Sequence, residues 1–384
     1  MPSGGDWGMQ SPQYADTAGA VYLSGTEGVR FEGCTFKYLA GNAVYLAGYN
    51  RDAAVVESEL TQIGDSPIVQ WGWTESTDPL MPAGTGMDGT AGNQPRGTQI
   101  IGNLCHEYGF NQKQSSCVFM AKSMQSEISG NIMFNAARAH INQNDGFGLG
   151  TNVEGNLIYS SCRESSDHGP FNSWDRQPFA WEKTGGALNF AGLPFTIHRN
   201  LFFANYGAGQ SVDNDDGSSY YDIHHNVEYA SGGLKSDYAG HDKLYYDNLN
   251  VGGGNCGMYN FYQVGHQDRC FNNTFLLGGP RLAPTNVSSQ QWADLRGCDP
   301  TGKPNCQAAS NPYGGGAAPI MVVENNTVYN HNASAGDVQC GTPMTLAQFK
   351  AACGYDGGVS YSTLPPTQQV RKWARALLRL PSPS

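Results

Sequence analysis

Charge is scarce in this chain, at 14 % of its 384 residues, and basic charge is scarcest: 22 lysines and arginines face 33 aspartates and glutamates. Long solvated helices and coiled coils need far more of both. The resulting net charge of −11 argues against nucleic acid or an anionic membrane as partner. Hydrophobic residues make up only 39 %, which is low for a helix-rich enzyme. No run approaches the roughly 18 apolar residues of a membrane-crossing helix, so no membrane insertion is expected. A signal-peptide core near Met1 is also missing. The 9 histidines lack zinc-type spacing in any one motif, so no zinc site is expected. Ca2+ on clustered acids is the one metal left open.

What the chain does have is glycine, 50 of them, with many asparagines, serines and tyrosines. That composition suits short strands joined by tight turns. Ten cysteines and the sequons at Asn272, Asn286, Asn325 and Asn332 point to a secretory route with N-linked glycans. The expectation is a secreted protein whose signal lies upstream of Met1. Cys298 with Cys306, and Cys340 with Cys353, are close enough in sequence to bridge locally. Cys34 and Cys162 fall within apolar rungs and suit buried thiols.

The organising feature is a repeat, apolar-x-x-Asn-apolar-x-apolar. It appears as Ile128-Ser-Gly-Asn131-Ile-Met-Phe and Val153-Glu-Gly-Asn156-Leu-Ile-Tyr, and again around Asn103, Asn200, Asn226, Asn248, Asn273 and Asn326. Earlier copies at Cys34 and Ser58 lack the Asn. Most copies stand 22–28 residues apart and three steps are longer. Such a period predicts an all-β fold, a right-handed parallel β-helix of about ten coils. Leucine-rich spacing is absent, and propeller units are longer. Each Asn is expected to stack on its neighbours as a buried amide ladder. The β-helix is expected over residues 1–332, with insertions at 71–96, 163–185 and 278–318. Residues 333–384 form a C-terminal extension: a capped helix at Thr345–Cys353, and a second over Thr367–Leu380 whose apolar Val370, Trp373, Ala374, Leu377 and Leu378 would lie on the solenoid.

Chemistry concentrates in Arg163–Arg176, where Asp167, His168, Trp174, Asp175 and Arg176 stand together, and in Asp213-Asn-Asp-Asp-Gly-Ser218. Offsets from the preceding Asn place Asp145, Asp175, Asp213, Asp215, Asp216, Asp237, His241 and His266 on one face over about five coils. Trp174 and Trp181 would rim that face. Stacked acids beside aromatic rings suit a carbohydrate groove, since rings take sugar faces and acids address hydroxyls and the glycosidic oxygen. Carboxylates on adjacent coils lie near the ~5 Å separation of retaining glycosidases, and two coils apart near the ~6.5–9.5 Å of inverting ones.

Cys162–Phe179, Asp213–Tyr220 and Gly232–His241 resemble glycoside hydrolase family 141, whose members are right-handed parallel β-helix enzymes with α-L-fucosidase and xylanase activities. The similarity runs from about Gly28 to Leu277, with the Trp373-Ala-Arg region. It implies a catalytic aspartate pair carried onto Asp175 and Asp216, with Asp215 competing for the second role. His168, Asp167, Arg176, Trp174, Asp213, Lys235, Asp237, His241 and Asp145 would contact a polysaccharide or oligosaccharide substrate. Two other readings stand beside the hydrolase. One is a polysaccharide lyase using Ca2+ and Arg176 or Lys235 as base; the other is a non-catalytic extracellular glycan-binding or structural protein.

Overall fold

The computed structural model describes residues 19–76, 86–144, 148–166, 168–174, 178–189, 194–206, 210–215, 217–237, 240–253, 256–259, 266, 268–277, 321–331, 336–340, 342–353 and 358–381, and every structural statement below concerns these residues. The chain divides into two compact units, Met1–Thr196 and Ile197–Ser384.

Unit 1 is built from three parallel sheets, and each circuit of the chain contributes one strand to each. The first holds Gly19–Glu27, Asn42–Arg51, Ile68–Trp71, Val118–Ala121, Ile141–Asn144 and Phe171–Trp174. The second runs from Arg30–Glu32 through Glu127–Ser129 to Asn152–Glu154, and the third from Thr35–Leu39 through Ile132–Ala136 to Leu157–Tyr159. Unit 2 repeats the pattern with Val212–Asp215, Leu234–Asp237 and Cys256–Tyr259 in its first sheet. Its second sheet includes Tyr221–His224, Leu244–Tyr246, Asp268–Phe271 and Met321–Glu324; its third includes Val227–Tyr229, Leu249–Val251, Thr274–Leu277 and Thr327–Asn330. The architecture is therefore all-β and parallel.

The corner between second and third sheets explains the repeat. In unit 1, the Asn131 Oδ1 accepts from the Asn103 backbone N–H at 2.9 Å and from Asn103 Nδ2 at 3.0 Å. Asn131 Nδ2 in turn donates to the Ile100 carbonyl at 2.8 Å. Asn156 repeats the contact to Asn131. In unit 2 the ladder runs Asn200, Asn226, Asn248, Asn273, Asn326 with the same bonds. Within the ladder the carboxamides of Asn131, Asn226, Asn248 and Asn273 use both oxygen and nitrogen, which is what makes them affordable in the interior. The long steps of 45 and 53 residues are single circuits, because Ser58 bonds Asn103 and Asn273 bonds Asn326 directly. Ser58 replaces the amide: its hydroxyl accepts from the Cys34 N–H at 3.0 Å and donates to the Val56 carbonyl at 2.9 Å. Cys34 is thus a half-buried ladder position and not part of an apolar rung, although it and Cys162 are both free thiols, as expected.

One residue before each ladder position the backbone turns left-handed. Unit 1 uses Gly33, Gly102, Gly130 and Gly155 there, with Glu57 as the exception; unit 2 uses Arg199, His225, Asp247, Asn272 and Asn325. After the ladder Asn, it is the middle residue of apolar-x-apolar that is buried: Met133 and Ile158 are inaccessible, while Ile132 is exposed. The flanking apolar residues serve outer contacts instead. In unit 1 they stack as His106–Phe134–Tyr159, with ring centroids 4.7 and 5.0 Å apart. In unit 2, Val227, Leu249 and Leu276 are covered by helix α2 (Thr367–Leu377), whose Val370, Trp373, Ala374 and Leu377 pack on them. The amphipathic spacing of α2 follows from that contact. Helix α1 (Leu346–Cys353) begins at a capping box, Thr345 Oγ1 accepting from the Gln348 N–H and Gln348 Oε1 from the Thr345 N–H.

The segments expected as insertions contain regular strands. Trp71 ends a first-sheet strand, and Phe171–Trp174 is another. Stretches around Asp88 and Ala180 then bridge to each other, with Lys183 2.8 Å from the Asp88 carboxylate. Lys183 and Thr90 hold that carboxyl down at about 2. Residues 278–318, with Cys298 and Cys306, lie outside the described residues. Among the residues whose side chains are described, Cys105–Cys117 and Cys256–Cys270 are disulfide-bonded, and the expected Cys340–Cys353 pair lies outside them. Neither pairing was read from the sequence, although both join cysteines only 12 and 14 residues apart.

Candidate functional site

The first-sheet strands of unit 2 each send alternate residues to opposite faces. Val212 pairs with Leu234, both buried, and the next residues, Asp213 and Lys235, pair beside them. Lys235 Nζ lies 3.3 Å from Asp213 Oδ1 and 3.6 Å from Asp215 Oδ2. Asp213 is inaccessible, whereas the Asp215 and Lys235 side chains keep 18 % and 14 % of their surface. One ammonium thus reaches two carboxylates of the neighbouring strand. Ser218, just beyond, donates its hydroxyl to the Asp215 carbonyl at 2.6 Å and fixes the turn after the strand.

The structure brings together Asp213, Asp215 and Lys235 from the expected set. His241 is not on a strand. It lies past the strand, in the corner leading to Leu244–Tyr246, where Asp242 Oδ2 is 2.8 Å from its Nδ1 and 2.5 Å from His266 Nδ1. Burial pushes the Asp242 carboxyl up, but hydrogen bonds from His266 and His241 outweigh it and leave it below its usual value. The offsets that grouped His241 with His266 join two residues that do meet, through Asp242. Counting back from the following strand aligns them. In unit 1, His168 Nδ1 lies 3.3 Å from the buried Arg138, and its carbonyl accepts the Cys162 thiol, so it is tied into the loop scaffold. Trp174 is half-buried and pairs in register with Asn144. Asp145, Asp167, Asp175, Arg176 and Asp216 lie outside the described residues, and of Asp237 only the strand position is described.

Three buried polar groups were missed by the sequence reading. Arg138 donates to Asn172 at 2.8 Å and Asn142 at 3.2 Å, on the same strand face of unit 1. His140 is enclosed, bonded to the Tyr108 hydroxyl and the Tyr159 carbonyl, and burial lowers it to about 3. Glu228 occupies the inward position after Asn226, where apolar residues stand in unit 1; Tyr245 donates to it at 2.7 Å, and burial raises it to about 7. Only the break in the repeat's inward column (Glu228, Asn250) signals such a group in the sequence.

Of the sequons, Asn272 and Asn325 are exposed at the left-handed corner position of adjacent circuits. Asn tolerates that conformation, the next Asn is the ladder residue, and Thr opens the strand, so the corner alone accounts for the triplet. Asn286 and Asn332 lie outside the described residues. No helix among the described residues is long and apolar enough to cross a membrane. No protein-family model matches this chain, and neither a curated protein nor a solved structure matches it.

Proposed function

We propose that the chain is a right-handed parallel β-helix of about ten coils and acts as a secreted carbohydrate-active enzyme, a glycoside hydrolase on a cell-wall or extracellular polysaccharide. The observation that carries this reading is the Asp213–Lys235–Asp215 cluster, set on a strand face that folding alone does not require to be charged. Asp213, fully buried, anchors Lys235; Asp215 reaches solvent and addresses the anomeric carbon or the attacking water. Its partner is sought in Asp216 or Asp175, the residues to which the family 141 resemblance points. The fucosidase- or xylanase-like substrate rests on that resemblance. The two disulfides support an oxidising, extracellular setting, with N-linked glycans on the exposed sequons.

The test is release of reducing ends from a panel of fucosylated, xylan and uronate polysaccharides by the chain and by Asp215→Asn, Asp216→Asn and Asp175→Asn. Loss of about 10²–10⁴-fold in at least one aspartate variant is expected. A product absorbing in the near ultraviolet, abolished by a chelator, would replace the hydrolase with a lyase. Polysaccharide retention without any product would make it a binding protein.

A further inference from the structure

We propose that His241, Asp242 and His266 form a binding site for a divalent transition-metal ion, Zn2+ in the first instance. Strands Leu244–Tyr246 and Asp268–Phe271 pair in parallel, with Leu244 opposite Arg269, which sets His241 and His266 at matching corner positions on adjacent circuits. Their rings lie against each other at 40°, with centroids 4.0 Å apart. Asp242 adopts a left-handed backbone, φ 55°, and its carboxylate meets both imidazoles. One ligand atom from each of the three residues lies within 4.8 Å of the others. Tyr220 stands edge-on to His241 at 5.0 Å and closes one side, while the three ligands remain partly exposed, so an ion has a way in.

Two imidazole nitrogens and one carboxylate oxygen suit Zn2+ and its neighbours; Ca2+ and Mg2+ call for oxygen-rich shells of six or more ligands. Without an ion, both Nδ1–H groups donate to Asp242 Oδ2. With the ion, each imidazole carries its single proton on Nε2, and the two N–H···O contacts give way to nitrogen–metal and oxygen–metal bonds. Tetrahedral donors about 2.0–2.1 Å from Zn2+ stand roughly 3.3 Å apart, so the two His–Asp contacts of 2.8 and 2.5 Å open by under about 1 Å through side-chain torsions. Three protein ligands leave a position for water. The ion would clamp the corner segments of two successive circuits, independently of the Asp213–Lys235–Asp215 cluster.

The tag-free full chain, stripped with a chelator, is titrated with Zn2+ alone by calorimetry, and with Co2+ for its visible absorption. One equivalent is expected, with His241→Ala, His266→Ala and Asp242→Asn each weakening uptake at least about tenfold. Asp242→Asn retains a residue that tolerates the left-handed corner, so it keeps the fold if an alanine variant does not. Nitrogen chemical shifts of both histidines should move from the Nδ1–H to the Nε2–H tautomer on Zn2+ addition. No uptake, or uptake equally tight in the folded variants, overturns the site.

Discussion

In unit 1, one face of the first sheet carries Tyr45, Ala47, Val69, Trp71, Phe119 and Ala121, a single buried apolar cluster to which Trp73 adds. In unit 2, the corresponding strand positions carry Asp213, Lys235 and Asp215. Both sets follow a strand residue that is buried and apolar, Ile68 or Val118 in the one case, Val212 or Leu234 in the other. Backbone pairing is indifferent to the choice. A buried ion pair rarely stabilises more than well-packed apolar side chains would, so the charged version gives no evident gain in folding. Asn142 and Asn172, held by Arg138, are the intermediate case within unit 1.

The comparison breaks most sharply in activity. Asp215→Asn is expected to lower polysaccharide turnover about 10²–10⁴-fold with little change in urea midpoint. Phe119→Ala should do the reverse, costing about 3–5 kcal/mol of stability by denaturant unfolding with turnover per folded molecule kept; equal stability losses would erase the distinction. Next is the ladder. Asn131→Ala leaves Asn103 without its acceptor and the Ile100 carbonyl without its donor, a cost of about 3 kcal/mol at 1–3 kcal/mol per orphaned group.

Titration separates the units in the opposite sense. Glu228 has a folded value of about 7, above its unfolded one, so its stabilisation is complete below the unfolded value and is lost as pH rises through 7. His140, lowered to about 3, contributes stability above its unfolded value that is lost as pH falls toward 3. Glu228→Gln should therefore stabilise the chain at pH 8 by up to about 3 kcal/mol and do little at pH 4. Thermal melts across pH check this, and an unchanged pH profile would remove Glu228 from the account. The smallest effect is at the corners. Gly155→Ala, at φ 65°, should cost about 1 kcal/mol with no clash, while His225→Gly should gain up to about that amount.

Much of the fold was legible because the ladder writes itself into the chain. An amide that must bond its equivalents one circuit away has few substitutes, so Asn131, Asn226 or Asn326 recur with their flanking turn residues. Helix α2 was legible for the same reason, as its spacing answers to one apolar surface. The candidate site was less so. Asp213, Asp215 and Lys235 could be grouped because they sit on strands, where register is regular. The same offsets group His241 and His266, which meet each other in a corner three residues before the paired Leu244 and Arg269. Arg138 and His140 looked like ordinary loop residues, and nothing local marks a side chain that later becomes enclosed.

By itself, the sequence determined the circuit: a short strand, a left-handed residue, a buried amide and another strand, because those are local demands on backbone and hydrogen bonds. It also determined which side chains carry charge. Only the tertiary structure decided which of those charges meet. Stacking circuits converts positions some twenty to fifty residues apart into near contacts, and the length of each intervening loop sets which residue arrives at the contact. Register is a cooperative property of neighbouring circuits, and no single repeat contains it.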